Sequence, residues 1–310
     1  MPGRERHHAS IRCEPHHYGS DFPAMHYRHH YHAGNFADVL KHTLLVGLLS
    51  ALNAKDKAWF YLDTHAGAGR YDLRQAAAET TAEWRQGIGR LLQPGKPVSS
   101  ATPASLQRYL ELAGDSAAYP GSPVIAASLA RPGDRLLLVE KIAEVADTLE
   151  SQLRQAAPRA NATVLRRDGY ETAAALLPPA EKRGLVLIDP PFEALSEFDQ
   201  IGDFLHTAQS RFLQGQYLVW YPVKKRFETD RFLRRIARAS PKPVLDFRFD
   251  NGAPAQGQMH VCGVAVLNPP WKFEETMKPA LDAIARGLAQ GPKANIETRW
   301  IKTEAECLNK

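Results

Sequence analysis

Cysteine is scarce. Cys13, Cys262 and Cys307 are the only ones in 310 residues, too few and too scattered for a disulfide framework or a cysteine-built zinc site. A reducing compartment, the cytoplasm, is the expected setting. No uninterrupted apolar run reaches the ~20 residues that cross a bilayer, and the first residues lack the apolar core of a secretion signal, so no membrane partner is expected. Internal repeats and long low-complexity runs are absent too. So is a strong charge imbalance: 39 Lys and Arg stand against 34 Asp and Glu, a net +5. That surplus suits a polyanionic partner without establishing one. With 44% hydrophobic and 24% charged residues, the composition is globular, and the length fits one large domain or one domain with an insertion.

Residues 1–24 differ from the rest. They hold His7, His8, His16 and His17, three arginines and few aliphatic side chains, and His26, His29, His30 and His32 follow. The histidine spacing fits no ordered metal site, so no metal is expected. Composition predicts a disordered arm; the other reading is a segment upstream of a true start at Met25.

From 36 to 54, Val39, Leu40, Leu44, Val46, Leu48, Leu49 and Leu52 recur at three- and four-residue steps. This predicts a helix with one broad apolar face, capped by Asn35 and with Asp38 in its first turn. Trp59-Phe60-Tyr61-Leu62 reads as a buried strand running into Asp63-Thr64-His65-Ala66-Gly67-Ala68-Gly69. Residues 72–118 then break the pattern with helical stretches over 76–92 and 105–113, and read as an inserted helical subdomain. Strands over 135–140, 162–166, 184–188 and 216–221 alternate with helices over 142–155, 172–177, 198–211 and 226–239. A pair over 244–249 and 260–267 closes the series as an antiparallel addition. Such alternation predicts an α/β fold, a parallel Rossmann-like sheet with helices on both faces. The expected division is 25–71 for the first helix and the start of the core, 72–118 for the insertion, 119–300 for the rest of the core and 301–310 for a tail.

The most telling segment is Asp189-Pro190-Pro191-Phe192, at the end of the apolar strand Gly184-Leu185-Val186-Leu187-Ile188. The strand places Asp189 at the carboxyl edge of an open sheet, where ligands bind. Two prolines stiffen the backbone and remove its donors, leaving carbonyls to accept. Phe192 adds a face for a base swung out of its helix. Acceptors beside a stacking ring suit the exocyclic amine of a nucleobase.

Other strand ends fall on the same edge. Gly67-Ala68-Gly69 lacks the third glycine of a dinucleotide fingerprint, since position 72 is Asp72, and reads equally as a ligand contact or a tight turn. Glu140 can accept ribose hydroxyls or pair with Lys141; Asp168-Gly169 can take an amino group or form an ordinary turn. Their alignment with Asp189 favours a nucleoside site that needs no phosphate contact, as S-adenosylmethionine would. Asn268-Pro269-Pro270-Trp271 is a rival motif, disfavoured because it follows the last expected strand; Trp271 is expected to pack. Lys41 and His42 interrupt an apolar helix, either reaching solvent along their stems or forming a cationic pair near a ligand carboxylate and phosphates. Ser122 is expected to cap a helix. Lys224, Lys225, Arg226, Arg231, Arg234, Arg235 and Arg238 form a basic segment past the fifth strand, a solvated face or a surface that tracks phosphates.

Asp189-Pro190-Pro191-Phe192 resembles the amino-methyltransferase motif that opens with Asp, Asn or Ser and ends in an aromatic residue. Longer segments are more specific: Tyr27-Arg28-His29, His32-Ala33-Gly34-Asn35, Ala37-Asp38-Val39-Leu40-Lys41-His42, the run from Tyr61 to Tyr71, Tyr119-Pro120-Gly121-Ser122-Pro123 and Trp220-Tyr221-Pro222-Val223. Together they resemble the 23S ribosomal RNA (adenine(2030)-N6)-methyltransferase family from about Met25 to about Trp300. The resemblance implies a class I methyltransferase fold, S-adenosyl-L-methionine as cofactor and 23S rRNA as partner. It implies that Lys41, His42, His65, Ser122, Glu140, Asp168 and Gly169 hold the donor, with Gly67 of the glycine loop and Asp189 expected beside them. By the same likeness Asp189 is the catalytic carboxylate, and Tyr27 and Arg28 lie near the substrate's way in; the chemistry of the tetrapeptide adds Pro190 and Phe192 to the catalytic set, and the basic segment makes Lys224, Lys225 and Arg226 the residues expected to meet RNA. A monomer is expected. Phe192 departs from the usual tyrosine, keeping the ring and losing a hydroxyl, and residues 1–24 have no counterpart. The alternatives are a DNA adenine methyltransferase, which shares the tetrapeptide, and a non-catalytic rRNA-binding assembly factor.

Overall fold

Asn35 starts the first helix, α1 (Phe36–Asn53), by the predicted means: its Oδ1 accepts from the amides of Ala37 and Asp38 at 3.0 and 3.1 Å. The computed structural model describes residues 32–75, 81–92, 95, 97–114, 116–194, 196–254 and 259–308. Tyr27, Arg28 and the 1–24 extension lie outside them. The 18 residues of α1 reach a mean hydropathy of 1.2, enough by length and composition for a membrane span, yet 83% of that window is buried inside the protein. It is a core helix.

The chain continues through β1 (Phe60–Asp63), β2 (Arg70–Tyr71), the single turn α2 (Glu83–Gln86), α3 (Ala104–Ala113), β3 (Tyr119–Pro120) and α4 (Ser122–Leu129). Regular alternation follows: β4 (Arg135–Val139), α5 (Ala143–Ala156), β5 (Ala162–Leu165), α6 (Gly169–Leu176), β6 (Gly184–Ile188), α7 (Glu197–Arg211), β7 (Gln216–Pro222) and α8 (Arg226–Ala239). The end comprises β8 (Val244–Asp250), β9 (Val261–Leu267), α9 (Phe273–Gly287), β10 (Asn295–Lys302) and α10 (Glu304–Leu308).

Eight strands form one sheet in the order β10-β8-β9-β7-β6-β1-β4-β5; β2 and β3 pair separately. The five from β7 to β5 are parallel, and β9, β8 and β10 add antiparallel. β4 and β5 lie on one side of β1 and β6 on the other, so the order reverses at β1, and the crevice at such a reversal is where open sheets bind ligands. Period-two alternation sends successive side chains to opposite faces. Tyr61, Leu136, Leu138, Leu185 and Leu187 join α1, α3, α4, α5 and α9 in one core; Phe60, Leu62, Leu137, Val186 and Ile188 join α6, α7 and α8 in the other.

Several expectations meet a different outcome. Of the stretch expected to be helical over 76–92, residues 76–80 lie outside the described residues; Thr81 is helical, and α2 and a 3-10 turn, Ile88–Arg90, follow. The chain there is pressed against the turn before α1: Ile88 N donates to Gly34 O at 2.8 Å, and a Cβ on Gly87 would lie 2.1 Å from that oxygen. α3 puts Leu106, Tyr109 and Leu110 into the same core as α1. β10 was not anticipated; it pairs with β8 from Asn295 to Lys302 and crosses the boundary drawn at 300. Trp271, expected to pack, is 78% exposed.

Candidate functional site

The parallel strands deliver their tips to one edge. Asp189 follows β6, and its Oδ2 lies 2.5 Å from Lys41 Nζ on α1. Asp38, one turn earlier, brings Oδ1 to 2.8 Å from the same ammonium. Lys41 is 4% exposed, so the solvent-reaching alternative does not hold. Burial disfavours its charge, and the Asp189 and Asp38 carboxylates overcome that, holding its pKa well above the ordinary lysine range. Asp38 Oδ2 also accepts from Gly34 N at 2.9 Å, tying the segment before α1 to the network. Asp189 Oδ1 has no hydrogen-bond partner among the described residues.

His42, also buried, bridges two groups: its Nε2 is 4.0 Å from Asp38 Oδ1, and its Nδ1 is 3.1 Å from Tyr119 OH, which meets Tyr109 OH at 2.7 Å. At the tip of β1, Asp63 is fully buried. Tyr61 OH and Ser122 Oγ donate to its Oδ2 at 2.8 and 2.7 Å, and His65 N to its Oδ1 at 3.3 Å. Burial outweighs these donors and lifts the Asp63 pKa to about 6, with the Asp189 charge adding to the rise. Ser122 is therefore not a cap: it is the first residue of α4, Gly121 holds the cap position, and its hydroxyl is spent on Asp63. Burial lowers the His65 pKa to about 4 despite Asp189 and Asp168, so the ring is neutral near pH 7. Its Nδ1 lies 2.8 Å from Thr64 Oγ1, and its ring meets Tyr170 edge-on at 5.1 Å.

Beyond β4, Glu140 accepts from Gly67 N at 3.0 Å through Oε2 and from Ile142 N at 2.9 Å through Oε1. It thus braces the glycine loop; Lys141 turns instead to Asp168, 3.5 Å away. Asp168 caps α6 through Oδ1, accepting from Tyr170 N and Glu171 N. Gly169 packs under the β1 tip, where a Cβ would lie 2.0 Å from Thr64 O.

Phe192 has a left-handed φ of 51°, costly for a bulky residue. Packing holds it: Phe198 and Trp220 meet its ring edge-on at 5.2 and 5.6 Å. The rival Asn268 lies elsewhere. Leu267 pairs with Tyr217 near the start of β7, whereas Ile188 pairs with Val219 further along, so Asn268 is at the opposite edge of the sheet from Asp189. Its Nδ2 donates to Gln214 O and Gly215 O, bracing a turn. Lys224, Lys225 and Arg226 are exposed where β7 runs into α8. Lys225 pairs with Glu228 at 3.0 Å and Arg226 with Glu297 at 3.5 Å.

The edge thus gathers Lys41, His65, Gly67, Ser122, Glu140, Asp168, Gly169 and Asp189, and adds Asp38, Asp63 and Tyr170, which are not among the site residues expected from sequence. A signal existed for Asp38: with Lys41 and His42 it puts three polar groups at i, i+3 and i+4 on an otherwise apolar helix. The donor set fits a nucleoside-bearing sulfonium. Glu140 and Asp168 keep acceptor capacity beyond the amides they bind, which suits hydroxyls and an amine, and the carboxylates favour a positive ligand.

Residues 56–302 match the family described as "Ribosomal RNA large subunit methyltransferase D, RlmJ". Two curated relatives, both called ribosomal RNA large subunit methyltransferase J, are similar over 90% of this chain and 99% of their own length. The Haemophilus influenzae protein is 37% identical over 281 residues and the Escherichia coli protein 35% over 285. Among solved structures, a Legionella pneumophila protein shares 32% identity with a TM-score of 0.79, covering 88% of this chain and 99% of its own.

Proposed function

The chain belongs to the RlmJ family of ribosomal RNA large subunit methyltransferases, and from that premise we propose that it methylates the N6 amine of one adenine in 23S rRNA. S-adenosylmethionine, the donor of this family, supplies a methyl group on a positively charged sulfur. Lys41, His42, His65, Gly67, Ser122, Glu140, Asp168, Gly169 and Asp189 form its site. Glu140 offers acceptors for ribose hydroxyls and Asp168 an acceptor for the adenine amine.

Asp189 carries the reading. Its Oδ2 is held by Lys41 while Oδ1 has no protein partner among the described residues. One oxygen is anchored, so the other is fixed in direction and open to an N6–H donor. The Pro190 carbonyl takes the second N6–H, since proline leaves that stretch rigid and short of donors. Two acceptors in this arrangement draw the amine out of conjugation and aim its lone pair, and orientation of this kind supplies much of a rate enhancement. The nitrogen gains the methyl and loses one proton, which Asp189 Oδ1 receives. Phe192, held between Phe198 and Trp220, offers a stacking partner for the flipped base. Lys224, Lys225 and Arg226 beside β7 add RNA contacts, and the family resemblance assigns Tyr27 and Arg28, outside the described residues, to the substrate's approach.

Asp189→Ala is expected to bind S-adenosylmethionine and to lose at least a thousandfold in methyl transfer to a 23S stem-loop. Full transfer by the folded variant would remove Asp189 from the mechanism. A matched DNA hairpin methylated as fast as the RNA would favour a DNA enzyme.

A further inference from the structure

Away from the reaction centre, α8 presents a face that the fold leaves electrically unbalanced. Phe232, Leu233, Ile236 and Ala237 are buried, so helical geometry turns Arg231, Arg234, Arg235 and Arg238 outward, and all four are exposed. With Ala239 they line an open groove of about 540 Å³ that no carboxylate lines. Arg235 leans out of it to Asp199 and Asp203 on α7. Arg231, Arg234 and Arg238 form no ion pair among the described residues, whereas Arg235 beside them meets two carboxylates. Like charges within two helical turns repel, and an external anion would relieve that repulsion.

We propose that this groove grips the phosphate backbone of the RNA stem flanking the target adenine. The inference rests on the RNA reading above and adds a second binding surface to it. Three features point to a polynucleotide. The groove is long: Arg231 and Arg238 are about 10 Å apart along the axis, which spans about three phosphates of one strand. Guanidinium forks match phosphate oxygens in pairs. The position is continuous with the site, because α8 leaves the end of β7, the strand beside β6 and Asp189. A strand lying on the arginines is thereby led to the reacting edge. Lys225 and Arg226 are already engaged by Glu228 and Glu297, so the unpaired arginines further along the helix take the larger share of the salt-dependent affinity.

The test uses the full chain saturated with S-adenosylmethionine and a methylation-competent 23S stem-loop. R231Q/R234Q/R238Q is expected to weaken RNA binding about tenfold at low salt and to reduce the slope of log affinity against log salt by about 2 to 3. Donor affinity and the rate at saturating RNA are expected to stay unchanged, which also shows the variant is folded. D199N/D203N releases Arg235 into the groove and is expected to steepen the slope. An unchanged slope and affinity in the triple variant overturns the groove. So does a defect seen on a ribosomal particle but not on naked RNA, which would mark an acidic protein partner. Failure of the wild-type chain to methylate any RNA is a separate outcome that overturns the functional reading itself.

Discussion

Replacing Lys41 by methionine leaves Asp38 and Asp189 facing one another with no cation between them, in a place almost closed to water. Breaking a buried pair from one side costs about 3–5 kcal/mol, and Lys41→Met should lower stability on that scale in urea titration while abolishing transfer. Asp38→Asn keeps the shape and removes one charge. It should leave donor affinity intact and lower kcat, because Lys41 is then no longer centred on Asp189. His65 and Asp63 make opposite contributions to acid stability. The folded His65 pKa, about 4, lies below the ordinary histidine value of 6.5, so between these values the unfolded chain binds the extra proton and stability falls as pH drops. The folded Asp63 pKa, about 6, lies above 3.8, so its contribution is present at low pH and is lost as pH rises through about 6. The two oppose each other from about pH 6 to 4. Relative to wild type, His65→Gln should lose less stability over that range and Asp63→Asn more, by up to about 3 kcal/mol each.

Among the elements, α6 starts in close contact with the β1 tip. Its first residue is Gly169, and Gly169→Ala sets a methyl against the Thr64 carbonyl, a backbone atom that cannot swing aside. The helix must move off the β1 tip. A loss of about 1–3 kcal/mol and weaker donor binding in calorimetry are expected. Much at this scale was legible: the α1 cap at Asn35, the strand before Asp189 and the basic helix after β7 all follow from local pattern. What pattern does not carry is pairing across the chain. Lys41 and Asp189 are 148 residues apart, and nothing in either neighbourhood names the other. Ser122 looks like a cap because helix starts usually use a hydroxyl that way; the buried Asp63 carboxylate competes for it and wins. The 76–92 stretch has helix-forming composition, and close packing of Gly87 on the Gly34 turn interrupts the helix at that point.

For the molecule as a whole, β10 replaces the buried β8 as the edge strand of the sheet with a strand that carries charged side chains. Its Arg299 reaches the fully buried Asp246 at 2.9 Å, beside Tyr221, and its backbone covers β8. Deleting 295–310 should lower the Tm and produce concentration-dependent aggregation by light scattering, since exposed strand edges pair with other chains. The alternation of Ile296, Thr298 and Trp300 with charged neighbours could have announced this strand. The ammonium clasped by Asp38 and Asp189 has a consequence for where the enzyme works. Ribosomal RNA is folded in a cloud of magnesium, and two adjacent carboxylates are an oxygen-rich perch such an ion readily takes. A fixed lysine on that perch holds the place a cation would take, without any barrier against the nucleic acid that brings the ions in.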